Sequence, residues 1–291
     1  MNSVVLINKP SGMTSFKVTA AVRKKLNIKK AGHAGTLDPL ASGVLPVYTG
    51  SATRFIDLPQ SNMKRYTAGF TLGVTTDTLD CEGEVQNKCD VCVSKEDLLK
   101  LFPCFTGEVT QIPPMYSAIK QNGVPLYKLA RQGKTVEVKS RVITIHSLEL
   151  LSFDGVNGVF DVLCSKGTYI RTLIADIGEK LGCGAHMTSL ERTLSNGYTL
   201  DDCVSLDDFL NSPDDAISGV HPADFAVKDY PSAKISDNQE RLFRNGGGLF
   251  FSRVKTDGDA EFYRVYAKSG FVGLGVKSED SELLNPKYIM M

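Results

Sequence analysis

At 291 residues, the chain is long enough for one large domain plus a small one, or for two of middling size. Hydrophobic side chains make up 42% of it, and 33 basic residues balance 33 acidic ones, which excludes an intrinsically disordered polymer. No apolar run reaches the ~20 residues of a membrane-spanning helix, and the opening MNSVVLINKPSG lacks the basic start of a secretory signal. Seven cysteines, an odd number, fit a reducing compartment better than a disulfide framework, so a cytoplasmic protein is expected.

In chain order, Val4-Val5-Leu6-Ile7 predicts a short buried strand, stopped by the turn sequence Lys9-Pro10-Ser11-Gly12. Thr14 or Ser15 caps a helix whose apolar positions Val18, Ala21, Val22 and Leu26 repeat at helical spacing. AGHAGTLDPLASG, residues 31–43, is too rich in glycine and small residues for either period and is expected to be a loop. Val44 to Tyr48 returns to strand, and Tyr66, Ala68, Phe70 and Leu72 alternate along another.

Residues 110–133, with Pro113-Pro114 and Gly123-Val124-Pro125, predict an excursion containing a short helix around 126–131. Val142 to Ile145 and Val159 to Cys164 are β-branched or apolar enough for strands. The second runs through Ser165-Lys166-Gly167-Thr168 into the clearest amphipathic helix of the chain, with Ile170, Leu173, Ile174, Ile177 and Leu181 on one face. Arg171 falls on the edge of that stripe, in the first turn, where it can face a neighbouring loop. From Asp201 to about Pro231 an acidic, loop-like stretch is the expected boundary, and short glycine-broken strands (262–266 and 270–276) follow it.

The loop at 31–43 is the best place for chemistry. Asp38 is its only acid, Pro39 stiffens it, and glycines at 32, 35 and 43 permit close approach or positive φ. An ionised carboxylate on such a loop suits a nucleophile or base, although an Asp-Pro turn with a solvated acid has the same spacing. The Gly-Lys-Ser/Thr sequel of a Walker loop is missing. Asp77 and Asp80 have the chemistry for magnesium but fit a solvated turn better, and Cys89-x-x-Cys92 is a single tight pair where structural zinc wants two. His146, His186 and His221 share no ligand spacing.

Charge is unevenly spread. Residues 1–75 hold ten basic side chains against Asp38 and Asp57, a net +8, and residues 108–145 carry a net +4. Residues 200–224 hold seven aspartates and no base. Separate basic and acidic faces are the footprint a polyanion needs, while solvated faces alone are the plainer reading.

At GHAGTLDPLASGVLPVYTGSATRF (32–55) the chain resembles the tRNA pseudouridine synthase B family, also called TruB. NKPSGMTS (8–15), KRYTAGFTLGVTTDTLDCEG (64–83), PPMYSAIKQNGVPLYKLARQG (113–133) and SKGTYIRTLIADIGEKLGCGAHM (165–187) extend the resemblance, in the family's order, over residues 1–200. The tail, with Asn245-Gly246-Gly247 and VYAKSGFVGLG, is similar to a PUA RNA-binding module.

The resemblance implies an α+β pseudouridine synthase fold: a central mixed, largely antiparallel sheet flanked by helices, plus a small C-terminal β-rich, PUA-like domain. It places a catalytic domain at 1–230, with an RNA-clamping insertion at about 110–140, and the PUA-like domain at 231–291. Asp38 stands at the family's catalytic aspartate, and Arg171 at the arginine that pairs with it through a charge-assisted contact, bidentate at its strongest. Tyr66 stands at the tyrosine that stacks on the uracil and can serve as a base. Tyr169 and Leu190 line the uracil pocket, His33 enters the RNA loop, and Lys9 and Lys64 touch RNA backbone or support the site.

The implied reaction is isomerisation of uridine 55 in the tRNA T arm, with base flipping, no cofactor and no metal. The implied partner is the T arm stem-loop, with no membrane and no obligatory protein partner, and a monomer is expected. Attack by Asp38 on ribose, attack on the base, and removal of a sugar proton all stay open. One departure is Leu190-Glu191-Arg192-Thr193, where the family commonly has L-R-R-T, so one phosphate contact is at stake at Glu191.

Overall fold

A computed structural model describes residues 1–58, 62–117, 119–121, 123–130, 132–134, 136–213, 216–278 and 282–290. Arg131 of the basic excursion and Asp214 and Asp215 of the acidic stretch lie outside the described residues. The first third contains β1 (Ser3–Lys9), α1 (Ser15–Lys25), β2 (Ala31–His33), β3 (Ser42–Thr49) and β4 (Met63–Leu72). A two-stranded ladder, β5 (Val74–Thr76) with β6 (Val85–Lys88), precedes α2 (Lys95–Leu101) and β7 (Gly107–Gln111). The excursion carries a second small ladder, β8 (Lys120–Gln121) with β9 (Val124–Pro125), and α3 (Leu126–Ala130).

Long strands β10 (Arg141–Phe153) and β11 (Asn157–Ser165) then lead into α4 (Ile170–Lys180) and β12 (Ala185–Ser195). Short elements follow: β13 (Tyr198–Thr199), β14 (Val204–Ser205), α5 (Leu206–Asn211) and β15 (Val220–Pro222). The C-terminal part comprises β16 (Ser232–Lys234), α6 (Asp237–Arg244), β17 (Leu249–Phe250), β18 (Lys255–Thr256), β19 (Phe262–Ala267), β20 (Gly270–Lys277) and β21 (Leu283–Ile289). Among the described residues, no helix is long and apolar enough to cross a membrane.

The fold is α+β, with a mixed, largely antiparallel main sheet in the order β14-β1-β3-β12-β4-β11-β10-β7. β13, β15 and β2 attach to β12, β1 and β3, and only β1–β14 and β3–β12 run parallel. The unbroken apolar run in β1 is explained by burial on both faces: Val4 and Leu6 enter one cluster, Val5 and Ile7 another. α4 buries Ile170, Leu173, Ile174 and Ile177 against a third cluster that contains Tyr66, Phe70, Phe160 and Leu190.

A six-stranded sheet, β17-β21-β20-β19-β16-β18, forms the β-rich C-terminal part around its own core of Ala233, Phe243, Tyr263 and Val265. It docks on the 3₁₀ turn at 50–55: Phe55 meets Phe271 and Tyr288 edge-on at centroid distances of 6.2 and 6.0 Å. Leu274 and Met290 share a cluster with Val4, Ala34 and Tyr48.

Two expectations need correction. Residues 31–43 are not wholly loop, because Ala31, Gly32 and His33 pair with Thr49, Tyr48 and Val47 as an edge strand too short for alternation to reveal. Residues 201–231, expected to be loop-like, carry regular structure up to residue 227. β14 and β15 flank β1, and α5 packs Leu206 and Phe209 into the core beneath it. The acids read as linker are helix-start residues: Ser205 accepts from the Asp208 N–H, and Asp207 and Asp208 occupy the first turn, where the helix dipole favours them.

Across β3, β12, β4 and β11 the registers align Gly43, Arg192, Tyr66 and Val162 in one row. That row sets the site, and it requires glycine at 43, where φ is +105° and an added Cβ would lie 2.2 Å from the Arg192 carbonyl oxygen. Gly43→Ala is expected to cost on the order of 3 kcal/mol, as strain plus overpacking, measured as a lowered denaturation midpoint.

Candidate active site around Asp38 and Arg171

Backbone and side-chain contacts from residues 9–15 lock the segment that carries Asp38. Ser15 Oγ accepts from the Leu37 N–H at 2.8 Å and donates to the Leu37 carbonyl at 3.0 Å. Ser11 Oγ donates to the Leu40 carbonyl, and the Gly12 N–H donates to that of Pro39. Lys9 is fully buried, and its ammonium donates to the carbonyls of Pro10, Met13 and Pro39. These bonds make Lys9 a support for the loop, and burial pushes its pKa down to about 8.

On the opposite side, Arg171 presents Nε to Asp38 Oδ2 at 3.0 Å. The contact is single rather than bidentate, because the other two nitrogens are already engaged. Nη1 donates to the Thr78 carbonyl at 2.9 Å and approaches Asp80 Oδ2 at 3.5 Å, and Nη2 donates to the Tyr116 carbonyl at 2.8 Å. Helix edge was the expectation for this residue, yet only 4% of its side chain is exposed. The Asp38 side chain remains 36% exposed, so its carboxylate is reachable from outside. Burial raises the Asp38 pKa, the Arg171 charge opposes that rise, and Asp80 adds to it.

The start of α4 is held by a residue that sequence reasoning passed over. Gln111, buried at the end of β7, accepts from the Tyr169 N–H at 2.8 Å and donates to the Tyr169 carbonyl at 3.0 Å. Tyr169 is the N-cap residue of α4 and lacks a side-chain cap, so this amide fork fixes the turn that projects Arg171. The Tyr169 ring lies under the Arg141 guanidinium, 4.9 Å from its centroid.

Arg192 is a second unanticipated support. Fully buried, it donates from Nε and Nη2 to the Val44 carbonyl and from Nη2 to that of Gly35, thereby gripping both ends of the loop. It lies against Tyr66 closely enough to oppose the rise that burial causes in the phenol's pKa, yet Nη1 completes no hydrogen bond among the described residues. Lys64 is near: a Cβ added at Gly35 would fall 2.7 Å from Lys64 Nζ and 3.0 Å from Arg192 Nη1. Burial pushes Lys64 down to about 8, and the Arg192 charge adds to that.

His33 is half-buried on β2. The Thr19 hydroxyl commits its one proton to the Ser15 carbonyl, so His33 Nδ1, 3.0 Å away, is the donor to Thr19. Nε2 then faces Thr36 Oγ1 at 3.3 Å as an acceptor, and burial, which lowers the pKa, keeps the ring neutral. Leu190 is buried in one cluster with Leu37, Ala41, Tyr66 and Ile170. Glu191 is half-buried between Ser42 and Thr67 on the neighbouring strands.

The other candidates take structural positions. Asp77 accepts from the Glu84 N–H, and Asp80 accepts from the Thr78 hydroxyl at 2.6 Å besides facing Arg171. Cys81, Cys89, Cys92 and Cys104 are exposed thiols, and no group of three His, Cys, Asp or Glu among the described residues could hold a metal ion. His146 is exposed, His186 Nδ1 meets the Val74 carbonyl, and His221 stacks on Phe225. Because the Asp80 charge adds to the raised pKa of Asp38, Asp80→Asn is expected to lower it. A carbon-detected NMR titration of the Asp38 carboxyl reads the shift, and an upward move would contradict the assignment.

Comparison with known proteins gives concordant results. Residues 23–170 match the TruB family pseudouridylate synthase N-terminal domain, and residues 171–219 match the tRNA pseudouridylate synthase B C-terminal domain. Proteins named tRNA pseudouridine synthase B are similar over nearly the whole chain. The one from Clostridium perfringens strain 13 is 44% identical, covering 96% of each chain, and that from Chromobacterium violaceum is 44% identical, covering 97% of this chain and 93% of the other. Among solved structures, an H/ACA RNP bound to a substrate RNA containing 2′-deoxyuridine and a Cbf5-Nop10-Gar1 complex each align with a TM-score of 0.73. Their identities are 25% and 26%, and each alignment covers 99% of this chain and 85% of the other. With a recessed carboxylate held by a buried arginine inside the matched region, the chain belongs to the TruB family of pseudouridine synthases.

Proposed function

We propose that this chain isomerises uridine 55 in the T arm of tRNA to pseudouridine, with Asp38 as the essential carboxylate and no cofactor. Family membership supports the coarser statement, a pseudouridine synthase acting on tRNA. The observation that carries the finer reading is the Asp38–Arg171 pair at 3.0 Å, on a loop locked by residues 9–15 and packed against Tyr66 and Leu190. In this proposal residues 1–230 form the catalytic domain, about 110–140 clamp the RNA, and 231–291 form a PUA-like RNA-binding module.

The reaction breaks the bond from ribose C1′ to N1 of uracil and joins C1′ to C5. The C5 proton leaves and N1 gains one, so no group and no electron is exchanged with a cofactor. Reaching the base requires flipping it from its stack, at a cost of a few kcal/mol. Stacking on Tyr66 offsets about 1–3 kcal/mol of that. Burial raises the Tyr66 phenol pKa, which favours the neutral ring that stacks on the base. In this reading His33, half-buried on the strand beside the loop, fills the vacated stack, while Lys64 offers a cation to a phosphate.

Asp38→Asn is the direct test, on purified protein with an unmodified tRNA transcript and no added protein or RNA. Pseudouridine formation at position 55 should fall by at least ~10³-fold while tRNA affinity holds within a factor of a few. Full activity, or modification elsewhere by the wild type, would overturn the reading. The Lys64 ammonium, with a pKa of about 8, loses its proton as pH rises through that value. RNA affinity is therefore expected to fall between about pH 7 and 8.5 at constant salt, and Lys64→Met should flatten the dependence in a filter-binding titration.

A further inference from the structure

Beyond the end of β2 remote from Asp38, the surface is hollowed into a groove of about 440 Å³. Asn27, Lys29, Lys30, Gly50, Ser51 and Arg54 are among its walls, and no carboxylate lines it among the described residues. The Lys29, Lys30 and Arg54 side chains are exposed. Three cations in one concavity without a counter-charge repel each other and focus a positive potential outward, the arrangement that an anion relieves.

The groove is built rather than incidental. The Gly50 N–H donates to the Lys30 carbonyl at 2.9 Å, and the Ser51 N–H donates to Asn2 Oδ1 at 2.8 Å, so the two walls are tied across the hollow. Gly50 has φ +56°, and an added Cβ would lie 2.3 Å from Asn2 Oδ1. Arg54 Nη1 donates to the Ile289 carbonyl at 3.2 Å, which sets one wall against the C-terminal sheet.

β2 connects this groove with the site. Lys30 precedes His33 by three residues, about 10 Å at ~3.3 Å per residue of extended strand. A stacked nucleic-acid strand covers that distance in about three nucleotides at ~3.4 Å each. We infer that the groove grips the phosphodiester backbone of the substrate RNA, roughly three nucleotides from the one that enters the Asp38 site. The inference rests on the RNA substrate proposed above and adds to it a phosphate contact surface formed by Lys29, Lys30 and Arg54. Such contacts set register and affinity and carry no base specificity.

The test compares Lys29→Gln/Lys30→Gln with a control of equal charge change, Lys95→Gln/Lys100→Gln, on exposed positions of α2 far along the chain. Binding of a tRNA transcript is measured from about 50 to 200 mM salt, together with pseudouridine formation. The groove variant should bind on the order of tenfold more weakly at about 150 mM, with its log–log salt slope reduced by about 2, one for each phosphate left without its lysine. The defect should appear in KM, and the control should match the wild type. Equal weakening in both variants would show diffuse charge, and unchanged binding in the groove variant would show that RNA does not touch it; either overturns the inference. Titration with inorganic phosphate and with a nucleoside triphosphate completes the experiment. Binding of either by the wild type but not by Lys29→Gln/Lys30→Gln, with RNA affinity unaltered, would make the groove a small-anion site and overturn the RNA assignment. Absence of pseudouridine from the wild-type reaction bears on the catalytic reading alone, because the binding slopes are read independently.

Discussion

A guanidinium removed from water must have its hydrogens accepted and its charge opposed, or its burial costs the fold several kcal/mol. Arg171 meets that requirement by drawing three segments to one point. The Asp38 carboxylate comes from the loop before β3, the Thr78 carbonyl and the Asp80 carboxylate from the turn after β5, and the Tyr116 carbonyl from the excursion. The arginine therefore serves two ends: it orients Asp38 while opposing the rise that burial causes in its pKa, and it closes the polar wall of the site. Asp80 is the counterweight in this arrangement. With two carboxylates on one cation the net charge of the group is −1, which keeps Asp38 basic while leaving it fixed in place.

Preorganisation of the carboxylate is equally visible in the backbone. Ser15 satisfies both polar groups of Leu37, and Lys9, Ser11 and Gly12 take the carbonyls of Pro39 and Leu40. Arg192 does the same for Gly35 and Val44. A loop with its carbonyls tied on both flanks of Asp38 has little conformational entropy left to lose, so the carboxylate is held in place in the free protein. The glycines that looked permissive in the sequence have a tighter purpose. Gly43 lets β12 approach β3, and Gly35 leaves room for two cationic side chains.

Much of this was legible before the structure, for a physical reason in each case. α1, β4, β11 and α4 carry strong periodicities because each buries one well-defined face, and their limits match within a few residues. Asp38 stood out as a single acid in a glycine-bracketed basic segment, and the family motifs supplied Tyr66 and Arg171. What stayed hidden depends on tertiary pairing. Ala31–His33 is too short to alternate and is a strand only because β3 lies beside it. The acids at 201–208 signal a linker by composition, whereas the Ser205 cap and the pairing of β14 with β1 make them part of the main unit. Gln111 and Arg192 act through backbone carbonyls and amides far away in sequence, so no local pattern could announce them.

The electrostatic layout links these supports to substrate. Lys9, Arg171 and Arg192 are buried and Lys64 is half-buried around one loop, with Asp38 and Asp80 placed among them. Lys9 and Arg192 offset their burial with carbonyl oxygens, and Arg171 does so with the carboxylates. Lys64 differs. Its pKa is driven down by burial and by the Arg192 charge, and no carboxylate pairs with it among the described residues. Arg192 Nη1, buried and unpartnered beside it, carries the same deficit. Polar groups left unsatisfied in this way destabilise the folded state, and they persist where a ligand removes that penalty on binding.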